Sequence, residues 1–179
     1  MKSQAGERYS PVIIALHWLM ALLIVAIYAT IELADPGRPA TMQRWHFMLG
    51  LLVLIFLAAR FAERLALPTP PILPALPALQ LKLAWLAHFL LYGFMLVMPI
   101  LGWLILSARG QPVPFFGVAL PPLIGKDPAL AARLTSIHEG VAQFGYYLIA
   151  FHTVGTLVHH YVVKDNTVRR MLPDMKAGS

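Results

Sequence analysis

Four histidines are spaced so that they could hold metal centres at two depths of a membrane. The segment 137–163 is apolar and long enough to cross a bilayer, yet it carries four imidazoles, His138, His152, His159 and His160. On a helix, the fourteen residues from His138 to His152 make nearly four turns. Both rings then share a face, about 21 Å apart along the axis, and His159 shares that face a further seven residues on. Imidazole is a poor group to turn toward lipid, so these side chains should face the interior of a helix bundle. Histidine is also the commonest axial ligand of haem iron.

The rest of the composition points to the same setting. Of 179 residues, 59% are hydrophobic and 12% charged, about half the charge of an average soluble domain. There is no cysteine, which excludes thiolate-held iron–sulfur clusters and haem attached through C-x-x-C-H. Any haem must be non-covalent haem b. The net charge of +6 is not clustered with aromatics on a soluble domain, so nucleic acid is not an expected partner. The excess Lys and Arg is expected to set membrane topology.

Four apolar spans are expected to carry the histidines, at about 12–31, 45–62, 83–106 and 137–163. The first follows a cationic leader with Lys2 and Arg8, but it is too long for a signal-peptide core and has no clear cleavage site after it. Pro36, Gly37 and Pro39 mark a short turn into the second span. Five prolines in residues 68–77 exclude a membrane helix there and predict an extended linker. Pro99 is expected to kink the third span. Residues 107–136 read as the longest loop, holding Arg109, Lys126 and Arg133. The fold expected is all-α: an integral membrane four-helix bundle forming a single di-haem domain over 1–179. Nine cations (Lys2, Arg8, Arg60, Arg64, Lys82, Lys164, Arg169, Arg170 and Lys176) against five (Arg38, Arg44, Arg109, Lys126 and Arg133) put both termini in the cytoplasm.

Depth pairs the histidines. His17 enters with the first span from the inside, and His46 with the second from the outside. In the fourth span His138 is outer and His152 inner. The pairs are therefore His46 with His138 and His17 with His152, each able to clamp one haem iron. The competing reading is hydrogen bonding between helices. His88 lies near the depth of His17 and could replace it. Trp18, Trp45 and Trp85 are read as interfacial anchors.

Several segments resemble one family. They are Ile14-Ala-Leu-His17-Trp18-Leu, Pro68-Thr-Pro-Pro-Ile, Arg109-Gly-Gln-Pro, His138-Glu139, and His159-His160-Tyr161 followed by Lys164-Asp165-Asn166-Thr167. The C-terminal motif is the most specific. The chain is similar over nearly its whole length to the bacterial cytochrome b-561 family, four-helix di-haem proteins of the inner membrane. The resemblance implies two haem b with His17, His46, His138 and His152 as axial ligands, and it favours His17 over His88. It is nearest to the type that passes electrons from superoxide to ubiquinone. Superoxide would be drawn to outer cations, Arg109, Lys126, Arg133 and Arg44. His159 is the candidate for a quinone or haem-propionate contact and for proton relay at the inner side. Related cytochromes act as membrane subunits of hydrogenases and formate dehydrogenases, so the alternative is a cytochrome b subunit that docks a redox partner protein.

Overall fold

The computed structural model describes residues 8–32 and 40–173. Lys2, Pro36, Gly37, Arg38, Pro39 and Lys176, used above for topology and turns, lie outside the described residues. Four helices are long and apolar enough to cross a membrane. They are α1 (Pro11–Glu32), α2 (Ala40–Ala66), α3 (Ala78–Arg109) and α4 (Pro128–Val158). A short hairpin of β1 (Val113–Phe115) and β2 (Val118–Leu120) lies between α3 and α4, and a single-turn α5 (Thr167–Arg170) follows α4. Large apolar side chains such as Leu22, Ile55, Phe89 and Phe151 are exposed on the helices, the pattern of a bundle whose outer surface meets lipid.

The helices begin and end where local chemistry dictates. Asp127 caps α4 by accepting a hydrogen bond from the Leu130 amide at 3.0 Å, with Pro128 at the first helical position. This start lies nine residues before the expected one. At the other end α4 widens into a π-helical turn, His159–Val163, that stops at Lys164 in a left-handed conformation. Gly110 closes α3 with φ +68°, its amide bonded back to Leu106 and Ser107 carbonyls. The helix runs on through Pro99.

Two expectations are corrected here. Residues 107–136 are not one loop: Arg109 ends α3, Arg133 belongs to the first turns of α4, and of the three cations only Lys126 stands in irregular chain. The all-α bundle stands as expected, with the addition of one short hairpin. The hairpin pairs Val113 with Leu120 and turns at Phe116 and Gly117, both at positive φ. Buried Val113 packs with Leu51 and Leu106, and the Trp103 indole donates to the Pro121 carbonyl at 3.0 Å. Finally, Arg60 and Arg64 lie within α2, and Arg60 is buried. Arg60 is therefore not a loop charge for setting orientation.

Packing is sequential but does not close at the backbone. The helices pack α1 on α2, α2 on α3 and α3 on α4. Met20 and Leu23 of α1 bury against Val53 and Leu57 of α2. Among the described residues no Cα of α4 comes within 8 Å of α1 or α2. Helix α4 thus stands off from the two helices that carry His17 and His46.

Candidate functional site

Side chains cross that stand-off at two levels. The His46 and His138 rings face each other with centroids 6.2 Å apart, and the His17 and His152 rings with centroids 6.4 Å apart. A metal between two imidazoles, bonded to each at about 2 Å, holds the ring centroids roughly 6 Å apart. Both pairs fit that gap. Among the described residues no group of three or more His, Cys, Asp or Glu could hold a bare metal ion. Two facing imidazoles suit instead an iron whose remaining ligands come from its own macrocycle.

The neighbours of each ring differ. His138 Nδ1 is buried with no hydrogen-bond partner, and Gly102 of α3 lies beside that ring. Thr30 Oγ1 lies 3.3 Å from His46 Nδ1. His88 also reaches the inner cluster: its ring centroid is 5.3 Å from that of His152, and its Nδ1 donates to the Ala84 carbonyl at 2.6 Å. That spacing is about an ångström shorter than in the two matched pairs.

Between the two levels, halfway from His138 to His152, stands Gly145. A Cβ there would fall onto the Tyr28 hydroxyl and the Phe94 ring, so glycine is needed for close approach. Tyr28 donates to the Ala142 carbonyl at 2.8 Å and stacks at a tilt on Tyr146, centroids 4.3 Å apart. Here α1 touches α4, between the two histidine levels.

The end of the bundle near His17 is closed by a polar plate. Arg170, buried, donates to the Tyr9 hydroxyl at 3.0 Å and to the Pro70 carbonyl. Arg64 donates to the same hydroxyl at 3.1 Å. Asn166 accepts from the Leu73 amide at 2.8 Å and donates its own amide to the Leu73 carbonyl at 3.0 Å. The proline-rich linker and the C-terminal motif are thus one docked unit. Tyr9 ahead of α1, the linker and residues 164–173 share this end. The Trp18 indole donates to the Met171 carbonyl at 2.8 Å, so it also ties the tail to α1.

His159 sits in this plate. Its Nδ1 donates to Asp165 Oδ2 at 2.6 Å, and the other carboxylate oxygen accepts the Thr167 amide at 2.8 Å. Burial pushes the Asp165 carboxyl up, but the bonds from the Thr167 amide and from His159 more than reverse this, and it sits below the usual carboxylate range. Asp165 has no assigned role in the sequence reading; its place in the Lys164–Thr167 motif, six residues after His159, was the available signal. At the opposite end Arg109 donates to the Thr135 hydroxyl at 3.0 Å. Lys126 lines a cleft with Ser107, Gly110, Gln111 and Pro112, and Arg133 and Arg44 are exposed. These cations share an end of the bundle but form no single pocket.

Comparison with known proteins agrees with this architecture. Residues 8–174 match the family model for prokaryotic cytochrome b561. A probable superoxide oxidase of Yersinia pestis, CybB, is 35% identical over 171 residues, covering 93% of this chain and 97% of that protein. Cytochrome b561 homolog 1 of Escherichia coli K12 is 35% identical over 175 residues, 95% of this chain and 99% of its own. Homolog 2 of the same strain is 30% identical over 173 residues, 93% and 92% of the two chains. With four apolar helices and paired internal histidines, the chain belongs to the prokaryotic cytochrome b561 family, haem b-binding membrane proteins of electron transfer.

Proposed function

We propose that this chain is a di-haem superoxide:quinone oxidoreductase of the bacterial inner membrane, with ubiquinone as acceptor. The observation that carries the reading is the pair of matched gaps, 6.2 Å at His46 and His138 and 6.4 Å at His17 and His152, at two depths. The name of the Yersinia pestis relative supports superoxide as donor. Haem b, when bound, supplies one-electron oxidation and reduction.

The chain's own residues do the rest. His46 with His138, and His17 with His152, are the residues that would hold the two haems. The end bearing Tyr9, the linker and the tail faces the cytoplasm, so Arg44, Arg109, Lys126 and Arg133 lie at the periplasmic end and attract a small anion. Two superoxide ions each give up one electron and leave as oxygen. Quinone takes two electrons and two protons at the inner end and leaves as quinol. His159, with Nδ1 bonded to Asp165, has Nε2 free to take up and pass on a proton.

The test uses purified protein in liposomes with ubiquinone and a steady source of superoxide, and follows quinol. Quinol formation without any other protein is the expected result. If quinol appears only when a donor protein is added, the chain is instead the cytochrome b subunit of a larger complex.

A further inference from the structure

We propose that Arg60 binds a propionate carboxylate of the haem held by His17 and His152, and so raises the reduction potential of that site; this rests on the inner-pair reading above. The argument starts from register. On α4, His138 and His152 are fourteen residues apart and present one ring at each level. On α2, fourteen residues beyond His46 stands Arg60, on nearly the same face and about 21 Å deeper. Helix α2 therefore offers an imidazole to the outer level and a guanidinium to the inner one. Depth agrees independently. Arg60 lies six residues before the end of α2, and His17 six residues after the start of α1, each about 9 Å along its helix from the same end of the bundle.

The charge of Arg60 is felt by His17, His88 and His152, residues of three different helices, and also by Glu63. Arg60 is only 7% exposed, and its Nη1 is buried with no hydrogen-bond partner. A buried guanidinium N–H left without an acceptor is costly, so the site has a place for one more acceptor, best an anionic one. A planar fork of N–H donors matches a carboxylate in particular. Glu63, one turn on, is also 7% exposed, but both its oxygens lack a hydrogen-bond partner. It lies within reach of the Arg60 charge but makes no hydrogen bond to it, so the Nη1 of Arg60 keeps its open valence. A haem held by His17 and His152 would bring carboxylates of its own to this level of the bundle.

The test compares purified holoprotein of the wild type, Arg60→Gln, Arg60→Lys and Glu63→Gln. Two quantities are read: the midpoint potential at each haem, and the redox-difference infrared spectrum with the propionate carboxylates labelled with carbon-13. In Arg60→Gln the inner haem should become at least tenfold harder to reduce, about 59 mV for one electron, with the outer haem unchanged. A labelled carboxylate band should shift in that variant, and Arg60→Lys should fall between it and the wild type. Arg60→Lys keeps the charge and serves alone if the glutamine variant does not fold. If the labelled bands are unchanged in both Arg60 variants, or if only an unlabelled carboxyl band that vanishes in Glu63→Gln responds, Arg60 pairs with Glu63 and the proposal is overturned. Failure of the underlying reading looks different: His17→Ala and His152→Ala would then keep both haems.

Discussion

The His17 and His152 rings face each other with centroids 6.4 Å apart, although the backbones of α1 and α4 that carry them come nowhere within 8 Å. A helix interface normally closes until side chains interlock, at about 8–10 Å between axes. Here the side chains that meet are imidazoles held at arm's length. The same relation recurs between His46 of α2 and His138 of α4 at 6.2 Å. The first prediction follows from it. Pyridine haemochrome assay of the purified protein should give about two haems b per chain. His46→Ala or His138→Ala should remove one of them, and His17→Ala or His152→Ala the other. His88→Ala should retain both, because its 5.3 Å approach to His152 is too short to match the two pairs. Loss of a haem in His88→Ala, with none lost in His17→Ala, would reverse the assignment.

The second prediction concerns Asp165. Its carboxyl is held below the usual range in the folded protein, so it contributes stability above the unfolded value of about 3.9. That contribution is lost as pH falls from there through the folded value. Thermal melts in detergent should therefore show a loss of Tm for the wild type below about pH 4. Asp165→Asn should melt lower than the wild type at neutral pH, and the difference should narrow as the pH falls through this window. A gap that stays constant from pH 7 to pH 3 would mean the ionised carboxylate is not what holds His159.

The third prediction concerns the exposed cations Arg109, Lys126 and Arg133. Neutralising all three should slow reaction with pulsed superoxide by about tenfold at low ionic strength, within the usual range of electrostatic steering. The effect should fade as salt shortens the screening length to about 8 Å near 0.15 M. Reduction by neutral quinol should hardly change. Equal rates for both proteins at every salt concentration would remove these residues from the route of the anion.

The fourth prediction concerns Gly145. Gly145→Ala drives a methyl group into Tyr28 and Phe94 and should cost about 1–3 kcal/mol by overpacking. Tyr28→Phe removes the 2.8 Å bond to the Ala142 carbonyl and should cost about 0.5–1.5 kcal/mol. Chemical denaturation followed through the haem absorbance measures both. An alanine variant as stable as the wild type would show that α1 and α4 can separate freely at this level.

The sequence by itself determined the four apolar spans and the placing of histidines by depth, because a membrane forces long uninterrupted helices and a helix has a fixed rise per residue. His138 and His152 share a face whatever surrounds them. Only the tertiary structure decided which rings face each other, because the choice between His17 and His88 depends on how three helices meet and not on depth. It also decided that Asp127 starts α4 early and so takes Arg133 out of the loop. The same holds for the docking of Leu73, in the proline-rich linker, on Asn166 of the Lys164–Thr167 motif, 93 residues away in the chain. Arg60 shows the division most plainly. Its register with His46 is written in the chain, but its burial, with Nη1 left without a hydrogen bond, arises only when α2 is packed against its neighbours. Local rise and periodicity act within one helix, whereas burial and the pairing of charges are set by what the other helices bring.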